Sequence, residues 1–317
     1  MKKSMKNDVH IEGRLYQHNL ALKKSGPNSK NPGTEYISGT IDVATDDNVT
    51  NIITTHYTYV TAKFSSGKDN SNFGILKDII DGKYNTVMDN GAEAATKVRI
   101  DTSVSVNDFY TDRQLDEKGE PTLVSAKRNE GGFIRIITGL RADVNKRNTF
   151  ETDILINGFI RKEADDEKGT PEKGIIKGAI FDFRNALMPV EYTVLNPRAI
   201  DYFEGLEPSE KNPVFTRVSG VEVSEVVKKT ITTEGAFGDE VREVESTRRE
   251  FVVTWAQPEV YEFDTPETIT KEELKKAVAD RETYLASVKE RYLEYKNNAA
   301  AATSTSAAAA AGDTFNF

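Results

Sequence analysis

Residues 11–16 read Ile-Glu-Gly-Arg-Leu-Tyr, and residues 156–161 read Ile-Asn-Gly-Phe-Ile-Arg. Ile37-Ser-Gly-Thr-Ile41 follows the first stretch, and Ile176-Lys-Gly-Ala-Ile180 follows the second. Tyr57-Thr58 finds an echo in Tyr192-Thr193. Late in each copy, Arg99-Ile-Asp-Thr-Ser-Val104 resembles Arg217-Val-Ser-Gly-Val-Glu222. Ser125-Ala-Lys-Arg128 followed by Phe133 likewise resembles Ser246-Thr-Arg-Arg249 followed by Phe251. The offset between matched residues shrinks from 145 (Gly13 to Gly158) through 139 (Gly39 to Gly178) and 135 (Tyr57 to Tyr192) to 118 (Arg99 to Arg217). Matches that keep their order while their spacing contracts point to two copies of one domain, the second with shorter loops. Two like modules in tandem suit a protein that follows a long repetitive ligand better than one built around a single catalytic pocket.

The composition leaves room for this. At 317 residues the chain can hold two domains, each with a sizeable core, and 37% hydrophobic with 29% charged residues describes a globular protein. No apolar run approaches the ~20 residues that span a bilayer, so no membrane partner is expected. The basic start, Met1-Lys-Lys-Ser-Met-Lys, leads into Asn7-Asp8 and not into the apolar core of a secretory signal. Cysteine is absent, which excludes disulfides, thiolate catalysis and cysteine zinc sites and fits a cytoplasmic location. A net charge of −9 argues against a histone-like coating protein but leaves open a local basic face.

Along each copy the pattern reads strand, long loop, strand, turn, strand, connecting helix, strand, hairpin, strand. Tyr36 to Ala44 alternates, with Ile37, Gly39, Ile41 and Val43 on one side. Phe73, Leu76, Ile79, Ile80 and Tyr84 have helical spacing. Five short strands with a helix between the third and fourth is the order of an OB-fold barrel. Glycine recurs in the first two strands of each copy (Gly13, Gly39, Gly158, Gly178), where a small closed barrel must bend. From Thr270 the character changes: Thr270-Lys-Glu-Glu fits a helix cap, and Leu274, Val278, Leu285, Val288 and Tyr292 form an amphipathic stripe. The expected organisation is mainly β: an OB-like five-stranded barrel over 1–148, a second over 149–268, an amphipathic helix over 269–297 and a flexible tail over 298–317.

Two OB-like copies, an Ala/Ser/Thr linker and a terminal phenylalanine together resemble a single-stranded DNA-binding protein of the bacterial or phage type. Gly13-Arg-Leu through Gly39-Thr-Ile to His56-Tyr-Thr-Tyr is similar to that family's first three strands. The resemblance implies a non-catalytic protein, phage-encoded and working in the bacterial host cytoplasm, that coats single-stranded DNA in replication or recombination. It also implies a C-terminal tip that recruits replication or recombination proteins, here Asp313, Phe315 and Phe317. The tip departs from the family in having one acidic residue and in placing Asn316 where proline is expected. Family members of this type assemble from several chains, so self-association is a further expectation.

Binding single strands without sequence preference needs cations for phosphates and flat side chains for bases. The candidates in the first copy are Arg14, Tyr16, His56, Tyr57, Tyr59, Lys63, Arg99, Lys127 and Arg128, and in the second Arg161, Phe183, Arg217, Arg248 and Arg249. If Val60 faces the core, strand alternation turns both Tyr57 and Tyr59 outward beside Lys63 as a stacking platform. Lys127-Arg128 and Arg248-Arg249 are read as equivalent basic pairs. Trp255, the single tryptophan, reads as core. The loops Lys23–Lys30 and Ser65–Asn70 are polar and lysine-bearing, as loops that close over a strand would be. No phosphate loop or nucleophile elbow is present, and His10, His18 and His56 lack zinc spacing, so neither an enzyme nor a cofactor is expected. Asp46-Asp47 and Asp165-Asp166-Glu167 are carboxylate runs in turns, which keeps a metal-dependent nuclease as a weak option. A β-rich capsid, tail or decoration protein is the main alternative of another class.

Overall fold

The structure is a computed structural model that describes residues 5–164, 171–233, 240–265 and 268–310; for Gln114, 225–233, 240–248 and 298–310 it describes the backbone alone. The strands are β1 (Asn7–His18), β2 (Ala21–Lys24), β3 (Glu35–Ala44), β4 (Ile52–Thr61), β5 (Lys97–Leu115) and β6 (Pro121–Ile136), followed by β7 (Asn148–Lys162), β8 (Lys173–Phe181), β9 (Leu187–Val194), β10 (Val214–Thr233) and β11 (Glu240–Ala256). Helices α1 (Ser71–Ile80) and α2 (Val87–Asn90) lie between β4 and β5, α3 (Pro197–Gly205) lies between β9 and β10, and α4 (Lys271–Ala310) follows the last strand.

The pairings close two circuits. The first runs β1–β3–β4–β6–β5 and back to β1, with β2 added to the edge of β3. The second runs β7–β8–β9–β11–β10 and back to β7. Each closes through one short parallel contact, Thr55 opposite Asn129 in the first and Val252 opposite Thr193 in the second. All other pairs are antiparallel. The protein is therefore mainly β, as expected, with the helix placed between third and fourth strands in both circuits.

Five antiparallel pairs between β1 and β7, from Asn7–Thr152 to Ile11–Asn148, join the circuits into one eleven-stranded sheet. This ladder has internal symmetry. Glu12 lies opposite Arg99 across β1 and β5, and Asp153 lies opposite Arg217 across β7 and β10. Asn7 Nδ2 donates to the Val104 carbonyl at 2.9 Å, and Asn148 Nδ2 donates to the Glu222 carbonyl in the matching place. Both first strands carry an extra residue at a bulge, after Leu15 and after Ile156. The register thus equates Glu12 with Asp153, so the first-strand offset is 141 and not the 145 read from Gly13 and Gly158. An approximate twofold axis passes through the Val9–Phe150 pair, both of whose side chains are buried.

The two interiors merge into a single apolar cluster that includes Ile11, Ile41, Phe150, Ile180 and Phe203. A smaller cluster under the second circuit gathers Met5, Leu155, Phe181, Phe215 and Ile269. The capping box expected at Thr270 forms: its Oγ1 accepts from the Glu273 amide, and Glu273 reaches back to the Thr270 amide, each at 3.1 Å. The apolar stripe of α4 is rotated from expectation, with Ala277 and Val288 buried and Val278 exposed. The helix lies along β5, where Arg281 grips the buried Asp108 carboxylate through both Nη atoms at 2.7 and 2.6 Å. Its backbone continues to Ala310, through an alanine run of the highest helix propensity. Residues 311–317 lie outside the described residues.

The four strand glycines are not alike. Gly39 has φ +136°, and a Cβ there would strike the Asn19 carbonyl, whereas a Cβ on Gly158 would meet only Lys177 Cβ at 3.7 Å. Gly39→Ala is expected to destabilise the protein by about 1–3 kcal/mol in urea titration. Gly158→Ala is expected to stay within about 0.5 kcal/mol of the parent.

Candidate nucleic-acid interface

The sequence candidates separate into groups. Several arginines are structural. Arg99 binds the buried Glu12 at 2.9 Å, and Arg217 grips the buried Asp153 at 2.7 and 3.1 Å. Burial alone would push the Glu12 carboxyl up; the Arg141 amide and the Arg99 guanidinium outweigh it and hold it below its ordinary value. Arg14 reaches Asp47 at 3.4 Å, and Asp47 also takes Arg147 at 2.8 Å. Arg161 is exposed but surrounded by Glu172, Asp201 and Glu204. A repeated arginine was the visible signal; its repetition reflects a repeated cross-strand ion pair.

The aromatic expectations also divide. Tyr57 does not face outward: it is buried in the first core, and Tyr59 is 48% exposed. The register supplies the reason. Gly39 opposes Tyr57 while Ile37 opposes Val60, so β4 carries one extra residue between them. That bulge resets the two-residue alternation, leaving Val60 against the core and Tyr57 beneath the sheet. Tyr59 instead packs against Tyr36, the rings tilted by 33° with centroids 4.5 Å apart. Tyr16 is half-buried at the β1 bulge, and Lys63 is exposed beyond β4. Phe183 is 78% exposed in the hairpin after β8, beside Arg184. Trp255 is not core; it is 49% exposed, and Phe133, its register counterpart on β6, is 51% exposed. The side chain of Arg248, and Asp313, Phe315 and Phe317, lie outside the described residues.

Four candidates converge. His56, Lys127, Arg128 and Arg249 line one cavity of about 240 Å3 with Thr54, Asn129, Glu222 and Phe251. The basic pairs meet with a one-residue shift: Lys127 opposes Val106 and Arg249 opposes Ser224, so Lys127 matches Arg249, while Arg128 matches Glu250. Each of the matched cations crosses to the other circuit. The Lys127 ammonium donates to the Glu191 carbonyl at 2.6 Å and sits 4.3 Å from the Phe251 ring centroid and 5.0 Å from that of Tyr192. Arg249 reaches Thr54 Oγ1 at 3.5 Å.

The cavity adjoins a groove of about 800 Å3 over β7, β8, β9 and β11, with Lys127, Arg249 and Phe251 common to both. Lys162, Lys173 and Lys177 line this groove, with Ile160, Ile175 and Pro189 as its apolar floor. Sequence reasoning missed these lysines. The available signal was Lys173-Gly-Ile-Ile-Lys177, which puts Lys173, Ile175 and Lys177 on one side of a strand. Among the described residues, cavity and groove together present six cations (Lys127, Arg128, Lys162, Lys173, Lys177, Arg249) against three carboxylates (Glu191, Glu222, Glu250), in a chain of net charge −9. From the cavity, the outer side of β4 leads from His56 to Tyr59, a rise of roughly 10 Å at about 3.3 Å per residue.

Electrostatics within the cavity are unusual. Burial pushes the Glu222 carboxyl up to about 7, with the 2.7 Å bond from Asn129 Nδ2 and the nearby Lys127 and Arg249 pulling the other way. Burial pushes the Lys127 ammonium down to about 8, opposed by Glu222, Glu191 and Glu250. Burial, then Arg128, holds His56 below its ordinary value. The described carboxylate run, Asp46-Asp47, gives no cation site. Asp46 caps the Thr50 and Asn51 amides, Asp47 is held by arginines, and Asp165-Asp166-Glu167 lie outside the described residues. Among the described residues no cluster suits a metal ion, and no helix is long and apolar enough to cross a membrane.

A closed pair of five-stranded circuits with a basic groove across their junction is the class of protein that fold and site define. The family model YorF matches residues 6–291, and the chain belongs to the YorF family. No curated protein matches it in sequence. Among solved structures, a deletion mutant of the single-stranded DNA binding protein from Thermus aquaticus is similar at 10% identity and a TM-score of 0.43, over 84% of this chain and 99% of that one.

Glu222 makes the cavity's proton balance measurable. Its raised pKa means that the folded state binds more protons than the unfolded state between about pH 4.5 and 7, so stability falls as pH rises through that window. Glu222→Gln should remove this slope and stabilise the protein at pH 8 by about 2–3 kcal/mol, read from urea midpoints at pH 5 and 8.

Proposed function

We propose that this protein binds single-stranded nucleic acid, DNA in the first instance, without catalysing a reaction on it. One observation carries the reading: two basic cavities share Lys127 and Arg249 where the circuits meet, although the chain as a whole is acidic. The groove lies on the second and third strands of the second circuit, the face with which OB-folds take oligonucleotides. Its cations would meet the phosphates, and Tyr59 beside Tyr36 offers bases a flat ring farther along β4. The strand would enter over Lys173 and Lys177, cross at Lys127 and Arg249, and leave past His56 towards Tyr59. We infer further that the two circuits descend from one duplicated domain, which supports a ligand that is itself repetitive. Replication or recombination is the setting such binding serves. Recruitment of other proteins by residues 312–317 belongs to the same reading, as does a phage origin.

Fluorescence anisotropy with a labelled thymidine oligonucleotide tests the core of this. Affinity should fall with salt, each phosphate contact contributing about −0.7 to the logarithmic slope. Arg249→Ala should weaken binding and flatten that slope by about one contact. Tyr59→Ala should cost roughly 1–3 kcal/mol. No binding at low salt, or equal affinity for duplex, would defeat the proposal and favour a β-rich assembly protein.

A further inference from the structure

Resting on the reading above, we propose that the junction cavity seats one phosphate group of the bound strand and takes up a proton on Glu222 as it does so. The cavity is large enough for about eight waters, ample for a phosphate. Lys127 on β6 and Arg249 on β11 come to it from opposite circuits, with Arg128 beside them. No carboxylate lies within ion-pair distance of Arg249 among the described residues, whereas Arg128 is already held by Glu130 at 2.9 Å. Among the described residues Glu222, on β10, is the one carboxylate lining the cavity, and it is buried. An anion placed there would face a like charge across a low-dielectric gap, unless the carboxylate is neutral.

Asn129 can accommodate that change. Its Nδ2 donates to Glu222 at 2.7 Å and to the Thr54 carbonyl at 3.4 Å, while its buried Oδ1 has no partner. When Glu222 takes a proton from solvent, turning the Asn129 amide over lets Oδ1 accept that proton's hydrogen bond. The freed Nδ2 then points where Oδ1 did, as an additional donor. The cost is the long bond to Thr54. Other charged groups facing this cluster are Glu191 on β9, Glu250 on β11, and His56 on β4 with Asp42 behind it. The sign of the coupling follows. A bound phosphate raises the proton affinity of Glu222, so binding takes up protons near neutrality and weakens as pH rises.

Titration calorimetry of the full chain with a thymidine oligonucleotide, repeated in buffers of different ionisation enthalpy, counts the protons. At about pH 7 Lys127 remains mostly charged, so uptake on the order of half a proton should come from Glu222. Glu222→Gln should abolish that uptake and bind several-fold tighter than the parent at pH 8. His56→Asn should leave it in place. Inorganic pyrophosphate serves as a second probe that does not depend on DNA binding. It should bind at pH 6.5, weaken by about tenfold at pH 8.5, and be lost in Arg249→Ala. Oligonucleotide binding without proton uptake, or uptake that survives Glu222→Gln or vanishes in His56→Asn, would overturn the proton coupling while leaving DNA binding intact. A failure of the oligonucleotide alone would defeat the DNA reading, and pyrophosphate would then decide the cavity. A failure of both probes would overturn the cavity as well.

Discussion

The antiparallel ladder between β1 and β7 is the constraint on which the rest of the molecule depends. It merges two closed circuits into one sheet, and its centre, Val9 against Phe150, is where both cores meet. Backbone hydrogen bonding fixes the relative rotation of the two halves more firmly than side-chain packing would, because sliding a ladder by one residue exchanges its buried and exposed faces. The flanking asparagines reinforce it. Asn7 is tied to both Val104 and Phe181, and Asn148 to Glu222. With the rotation fixed, Lys127 of one half must project over Tyr192 and Phe251 of the other, and Arg249 must project back towards Thr54.

Charge is sorted along the same lines. Arg99 and Arg217 neutralise carboxylates buried at the outer side of the first strands, and Arg161 is consumed by three acidic neighbours. Those arginines are spent on acidic partners, while among the described residues the groove keeps an excess of cations. A protein of net charge −9 can present a local positive field because potentials in a cleft are set by the nearest charges and by the low-dielectric walls.

Short matches such as Ile37-Ser-Gly-Thr-Ile41 with Ile176-Lys-Gly-Ala-Ile180 point to two similar sets of strands, and the capping box forms at the Thr270 and Glu273 that its pattern names. What escaped was phase. Short matches around glycine misplace the first strands by four residues. The Ser-x-x-Arg match misplaces the basic pairs by one, and in a strand one residue exchanges inside for outside. Tyr57 was misread for the same reason, since a bulge has no composition signature of its own. Of the groove lysines, Lys162 and Lys173 lay outside the matched stretches, and Lys177 stood inside one opposite Ser38, so similarity between halves gave no basic cue. Glu222 and Asn129 were invisible because their environment is made by contact between halves more than ninety residues apart.

Helix α4 follows both circuits in the chain yet clasps the hairpin of the first, through Arg281 on Asp108 and Lys296 on Asp112. The Asp108 side chain is wholly enclosed in the folded protein, and Arg281 lies 173 residues beyond it. During synthesis the first circuit must therefore leave the ribosome with a carboxylate awaiting its counterion. At translation speeds of about 5–20 residues per second, that gap lasts roughly 10–35 s. For that interval the β5–β6 hairpin is an unfinished surface, open to solvent and to other chains. Completion of the amino-terminal half is thus timed by the arrival of the carboxyl-terminal helix.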